Sequence, residues 1–224
     1  LYYMDINKSV ALLILNYNSK EFLKASLDSL LVQSYTHFEI FAIDNSSTDG
    51  SIQYIKEYFP RNLYPIINLV EHKTNYGYGK GINIVLKKIY KNFDYIALID
   101  PDTILDKNWL KELVITMENH SDTQICNCLT LNYDGNIIDN AGGVIVNIMA
   151  GIFTGFMGDL PVENIPLKYK DTEFPIIFGV ATAMLVRSEA FNNFGLCDED
   201  YFLYFEDFDL SWRIALGGGK ILCN

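Results

Sequence analysis

The strongest constraint on this chain is an alternation of short apolar runs and amphipathic segments, repeated four times in its first half. Residues 10–15 are continuously apolar, as a strand buried on both faces requires. They are followed by Asn16-Tyr17-Asn18 and by Ser19, a candidate helix cap. Apolar residues at 22, 23, 27, 30 and 31 then recur with a helical period. Residues 38–43 form a second apolar run ending at Asp44, with dense turn chemistry over 45–50 and a helix expected over 51–58, stopped by Pro60. A third run at 66–70 leads into Asn75 and Gly77, Gly79 and Gly81, with a helix following to about Tyr90. A fourth, 95–99, ends at Asp100-Pro101-Asp102, with a helix expected over 109–117 behind a cap at Asp106. Strand–helix repetition of this kind builds a parallel sheet with helices on both faces, an α/β fold.

The second half is less regular. Residues 125–131 and 176–186 read as strands, 133–136 as a turn, 142–158 as a Gly-rich segment, and 159–175, with its prolines and mixed charge, as a long loop. Ser188 starts a short helix. In 206–216 apolar residues fall at 208, 210, 212, 214 and 216, a pattern that both a helix and a strand satisfy. No linker stands out, so one domain over 1–224 is expected. It comprises a regular half over about 1–105 and an irregular half over about 106–224. The start at Leu1, and the end at Asn224 just after an apparent strand, lead us to expect a C-terminally trimmed chain.

Composition removes several classes of function. Half of the 224 residues are hydrophobic, enough for a substantial core. The net charge is −11 and there is no basic run, so nucleic acid is excluded as a partner. The same charge means that a phosphate-bearing ligand needs a cation or helix N-termini to offset repulsion. Cys126, Cys128, Cys197 and Cys223 follow no zinc spacing and read as buried free thiols of a reducing compartment. No apolar stretch approaches the roughly 18 residues of a membrane span, and no basic region precedes an apolar stretch at the N-terminus.

In an open parallel sheet, ligands bind beyond the carboxyl ends of the strands. Asn16, Asp44, Asn75, Asp100 and Asp102 all follow predicted strands. Asp100 and Asp102, one residue apart, present hard oxygens to a common point and suit Mg²⁺ or Mn²⁺, which would hold a diphosphate. The competing reading is a turn in which Asp102 caps a helix. The Gly77, Gly79, Gly81 series has the spacing of neither a dinucleotide fold nor a P-loop. It serves either close approach to a base or ribose or a tight strand-to-helix turn. Glu206-Asp207 lies among aromatics. That setting fits a general base with a raised pKa, or simply acids at a helix N-terminus.

Taken together these stretches are recognisable. Leu15-Asn16-Tyr17-Asn18, Asp44-Asn45-Ser46-Ser47-Thr48-Asp49-Gly50, residues 75–83, Asp100-Pro101-Asp102-Thr103, residues 179–185 and Tyr204-Phe205-Glu206-Asp207-Phe208-Asp209-Leu210-Ser211-Trp212-Arg213 resemble glycosyltransferase family 2, of the GT-A fold. The resemblance covers nearly the whole chain and is nearest to its rhamnosyltransferase-like branch. It implies an inverting transferase acting in cell-surface polysaccharide synthesis. The donor would be a dTDP- or UDP-sugar, dTDP-rhamnose among the candidates, and the acceptor a saccharide or lipid-linked saccharide. Asp44 would contact the base, helped by Asn16, Tyr17, Asn18 and Asn75. Gly77 and Gly81 would line the nucleotide. Asp100 would face ribose or metal, Asp102 would bind Mn²⁺ or Mg²⁺, and Asp207, with Glu206 beside it, would be the base. Gly179, Ala181 and Thr182 would line the acceptor side.

Two departures are visible: many members of that branch have Asn in place of Asp100, and many relatives supply a further His ligand beyond the last strand. A cytoplasmic location follows from the resemblance, with peripheral attachment to the inner membrane face left open. The rival readings are a sugar nucleotidyltransferase and a non-catalytic sugar- or partner-binding domain. The first should carry a basic Gly-rich loop after the first strand, where Asn16-Tyr17-Asn18-Ser19 stands instead.

Overall fold

Residues Val10–Asn16 form β1, near the centre of the main sheet in a computed structural model that describes residues 6–58, 67–147 and 152–224. The expected stop at Pro60, the strand start at Ile66 and residues 148–151 of the Gly-rich stretch lie outside the described residues. After β1 the chain runs through α1 (Lys20–Leu31), β2 (Phe38–Asp44), α2 (Ser51–Tyr58), β3 (Ile67–Glu71), α3 (Tyr78–Ile89), β4 (Tyr95–Ile99) and α4 (Trp109–Asn119). It continues with β5 (Thr123–Asn127), β6 (Thr130–Leu131), β7 (Ile138–Asn140), β8 (Gly143–Asn147), β9 (Ile152–Gly155) and β10 (Phe174–Pro175). The last elements are β11 (Ala183–Arg187), α5 (Ser188–Phe194), α6 (Glu206–Leu216) and β12 (Lys220–Cys223).

The main sheet has the order β10-β12-β5-β11-β4-β1-β2-β3. β4, β1, β2 and β3 are mutually parallel, as the strand–helix repeat demands. β11 is antiparallel to both β4 and β5, so the sheet is mixed on its second side. β1 shows why its run is unbroken. Ala11, Leu13 and Leu15 pack on α3, α5 and α6, while Val10, Leu12 and Ile14 pack on α1, α2 and α4. Each β1 residue is buried on one face or the other, and α1–α6 divide three to a side.

Several expectations change. The strand expected over 125–131 divides into β5 and β6, which belong to different sheets, and the residue at the N-cap of α4 is Asn108 and not Asp106. The helix after the glycines begins at Tyr78, so Gly79 and Gly81 lie within α3. The strand expected over 176–186 begins only at Ala183. Ahead of it, the N–H groups of Gly179, Val180 and Ala181 are taken by the side chains of Ser211, Asn127 and Asp207, at 3.1, 2.9 and 3.0 Å. Side-chain acceptors have replaced the ladder there. Ser19 does not cap α1: its hydroxyl donates to the Tyr17 carbonyl, at 3.3 Å.

The ambiguous 206–216 segment is a helix. Its apparent alternation is two i,i+4 stripes, Leu210 with Ile214 in the core and Phe208 stacked on Trp212 beside them. All four cysteines are free, with Cys128 half-buried and the others buried. Among the described residues no helix is long and apolar enough to cross a membrane.

Candidate active site

The carboxyl ends of β1 and β2 are joined by side chains. Asn16 Nδ2 donates to Asp44 Oδ1 (2.8 Å) and to Ser47 Oγ (2.9 Å), and the Ser47 N–H donates to Asp44 Oδ2 (2.8 Å). Asp44 is wholly buried and both of its oxygens have partners within the chain. Each oxygen keeps a second lone pair, though neither meets solvent. Asn18 closes the rim: its N–H donates to Ser47 Oγ and its Oδ1 accepts from the Thr48 N–H, at 2.9 and 2.8 Å. Tyr17 stands exposed between Asn16 and Asn18.

Asn45 was not singled out from the sequence, yet it is the hub of this edge. Its Nδ2 donates to Asn75 Oδ1 (2.9 Å) and to the Gly77 carbonyl (3.0 Å), and its Oδ1 accepts from the Tyr76 N–H (3.0 Å). The sequence signals for it were its place next to Asp44 and within the family-like stretch over 44–50. Asn75 Oδ1 also accepts the Gly77 N–H, at 2.9 Å. The glycines make their close approaches to the protein itself. At Gly77 (φ +77°) a Cβ would stand 2.2 Å from the Phe202 carbonyl oxygen, and at Gly81 one would stand 3.1 Å from Leu15. Gly179 is equally confined, 2.9 Å from Ile125.

Asp100 follows β4, and its N–H donates to the Thr182 carbonyl at 3.0 Å, which joins this strand end to the loop before β11. Burial raises the Asp100 pKa to about 6; the charges of Asp102 and Asp207 add to the rise and a hydrogen bond with Thr182 opposes it. Asp102 is exposed. The second residue of α6, Asp207, accepts the Ala181 N–H on Oδ2 (3.0 Å) and the Phe208 N–H on Oδ1 (2.7 Å). Its pKa is raised by burial, with those backbone donors opposing the rise. Glu206 is 5% exposed and has an unpartnered Oε2. Burial pushes its carboxyl up to about 7, against the pull of its own N–H and with the charges of Asp207 and Asp100 adding to the rise.

Tyr78 lies beneath this group, with a buried and unpartnered hydroxyl. Burial raises its pKa well above the usual phenol value, and Asp100, Cys197, Glu206 and Asp207 raise it further. Sequence reasoning took Tyr78 only as part of the glycine stretch. Of the residues picked from the sequence, Asn16, Asp44 and Asn75 meet through Asn45 and Ser47. Asp100, Glu206, Asp207, Ala181 and Thr182 meet across β4, the loop before β11, and α6.

The charges of Asp102 and Asp207 press on Asp100, a repulsion that a divalent cation would relieve. Hard carboxylate oxygens fit Mg²⁺ or Mn²⁺. Among the described residues no three His, Cys, Asp or Glu side chains converge to hold an ion by themselves. Asp100 and Asp102 would supply two of the about six oxygen ligands that such an ion takes. No cysteine is placed as a nucleophile; Cys197, for example, is held protonated, its pKa pushed by burial up to about 12.

A mixed sheet between two helical layers, with its polar groups gathered at the carboxyl edge of β1, β2 and β4, defines a GT-A fold. GalNAc-T7, solved with UDP, GalNAc and Mn²⁺, superposes with a TM-score of 0.76 at 16% identity, over 99% of this chain and 43% of that one. Residues 11–194 match the family described as Glycosyl transferase family 2, and the chain belongs to that family. Among its curated relatives, the putative glycosyltransferase EpsE of Bacillus subtilis is 30% identical over 131 residues, 58% of this chain and 46% of EpsE. The N-acetylglucosaminyl-diphospho-decaprenol L-rhamnosyltransferase of Mycobacterium tuberculosis is 24% identical over 216 residues, 90% of this chain and 69% of that protein. The chain thus spans less than half of EpsE and about two thirds of the mycobacterial enzyme.

Proposed function

We propose that this chain is the catalytic part of an inverting glycosyltransferase. It moves a sugar from a nucleotide-diphosphate donor, a UDP- or dTDP-sugar, to a saccharide or lipid-linked saccharide acceptor in cell-surface polysaccharide synthesis. The observation that carries this reading is the setting of Asp207. Its carboxylate is fixed by two backbone N–H groups, keeps lone pairs free, has a raised pKa and lies within electrostatic reach of Asp100. A carboxylate so held takes the proton of an acceptor hydroxyl as its oxygen attacks the anomeric carbon from the face opposite the leaving diphosphate. The ordinary aspartate pKa would make it a weaker base; burial strengthens it.

In the same reading Asn16, Asp44 and Asn75 shape the edge that receives the base. Tyr17 and Asn18 form its rim, and Gly179, Ala181 and Thr182 line the acceptor side. Asp102 and Asp100 would hold Mn²⁺ or Mg²⁺, which when bound neutralises the leaving diphosphate. The M. tuberculosis relative is a rhamnosyltransferase by name, which favours dTDP-rhamnose among the donors to be tested.

The test is thermal unfolding with UDP, dTDP and GDP, each with Mn²⁺ or with EDTA, alongside Asp102→Ala and Asp207→Asn. A nucleotide at about 100 times its Kd stabilises by roughly 2.7 kcal/mol, on the order of 5–10 °C here. One nucleotide should give that rise with metal, and lose it in EDTA and in Asp102→Ala. Asp207→Asn should keep the rise while transfer falls by about 10²–10⁴. Transfer at the normal rate in Asp207→Asn would sink the base assignment.

A further inference from the structure

Five consecutive side chains ahead of α6, those of Tyr201, Phe202, Leu203, Tyr204 and Phe205, stand in solvent, with exposures from 38% at Tyr201 to 71% at Tyr204. A contiguous exposed apolar run marks an interaction site more often than chance. Its backbone holds it in place. The Tyr78 N–H donates to the Phe202 carbonyl (2.7 Å), the Asp209 N–H donates to the Phe205 carbonyl (2.8 Å), and Gly77 leaves room for the contact. Tyr204 and Phe205 both sit in the left-handed region, at φ +69° and +72°. Two bulky aromatics in succession there are strained, a state that persists at functional sites. The exposed rings stand immediately before Glu206 and Asp207.

The surroundings select the occupant. Asp198, Glu199 and Asp200 precede the loop, and Glu206, Asp207 and Asp209 follow it. Of these, Glu199 is paired with Lys87 and Asp209 with Arg213. An anionic lipid surface is repelled by such a rim, since attachment there rests on Lys and Arg. A neutral sugar ring meets no such repulsion. Its C–H faces pack on aromatic rings and its hydroxyls donate to carboxylates, which accept only.

We infer that the loop over 201–205 is the platform on which a neutral acceptor saccharide stacks, presenting a hydroxyl to Asp207. The inference rests on the transferase reading above and adds the acceptor subsite to it.

Saturation-transfer NMR on the whole chain tests it, with methyl β-D-glucopyranoside, methyl α-L-rhamnopyranoside and N-acetylglucosamine as probes. The proteins are the wild type, the double variant Tyr204→Ala/Phe205→Ala, and Tyr204→Phe. All substituted side chains are exposed, so the melting temperature should hold in each. At least one probe should show transfer to its ring protons with the wild type and with Tyr204→Phe. In the double variant its binding should weaken about tenfold, as loss of a stacking ring implies. Absence of transfer with the wild type, or equal transfer with the double variant, would overturn the platform. So would flotation of the wild type, but not the double variant, with phosphatidylcholine–phosphatidylglycerol vesicles. The nucleotide-dependent melting shift, read in the same samples, reports separately on the donor site. Its loss with probe binding intact would fault the transferase reading and not the platform.

Discussion

Glu206 and Tyr78 bear the same kind of cost at the candidate site. Both are buried and both carry a polar atom without a partner. An unsatisfied buried group costs about 1–3 kcal/mol, so such atoms persist where something else requires them. For Glu206 the consequence is measurable. Its pKa rises from 4.5 to about 7 in the fold, chiefly through burial, so the folded state prefers the protonated acid. The unfolded chain ionises first as pH rises. Stability is therefore undiminished below 4.5, falls between 4.5 and about 7, and stays reduced above that. Glu206→Gln removes this one titration while Asp100 and Asp207 remain in both proteins. The variant should match the wild type near pH 4 and exceed it by up to about 3 kcal/mol near pH 8. Denaturant unfolding across that range measures the difference, and a gap that does not widen with pH would refute it. From sequence, Asp207 and Asp100 could be picked out as carboxylates at element ends. The hub role of Asn45 could not, because its partners lie about 30 residues away, and neither could the setting of Tyr78, which is made by groups on other elements.

At the scale of elements, the starts of α1 and α2 depend on one side chain. Asp49 Oδ2 accepts the Lys20 N–H at 2.9 Å and Oδ1 accepts the Ser51 N–H at 3.0 Å, so one carboxylate caps both helices. Burial alone would raise its pKa, but these bonds and that of the Ser51 hydroxyl bring it below the usual value. Sequence reasoning gave the α1 cap to Ser19, the local candidate; the true acceptor arrives from the next loop, where no local signal points to Lys20. Asp49→Ala should destabilise by about 2 kcal/mol and lower the melting temperature by about 5 °C, while Ser19→Ala should change little. Equal losses in the two variants would contradict this. The same limit explains β11. An apolar run over 176–186 looks uniform, but the acceptors that end its pairing before Ala183 come from β5 and α6.

For the molecule as a whole, a net charge of −11 and the carboxylates of Asp100, Asp102 and Asp207 at the proposed site would oppose a diphosphate. In EDTA, UDP affinity should therefore rise as ionic strength goes from about 0.01 to 0.15 M and the Debye length shrinks from about 30 to 8 Å. If Mn²⁺ binds as proposed, the net interaction should become attractive and added salt should weaken binding instead. Titration calorimetry at the two salt levels reads both signs. A UDP affinity in EDTA that falls with salt would mean that repulsion does not govern the site.

The sequence by itself determined the alternating α/β plan, the parallel half of the sheet, the strand-end positions of Asn16, Asp44 and Asp100, and the family. These depend on periodicity and on residues next to one another in the chain. Only the tertiary structure decided that β11 reverses direction, that Asn45 ties the first two strand ends to the glycine turn, and that Asp49 serves two helices. It also decided that the aromatic loop before α6 is held open in strained backbone. Each of these depends on hydrogen bonds and steric limits between segments far apart in sequence, which no local pattern encodes.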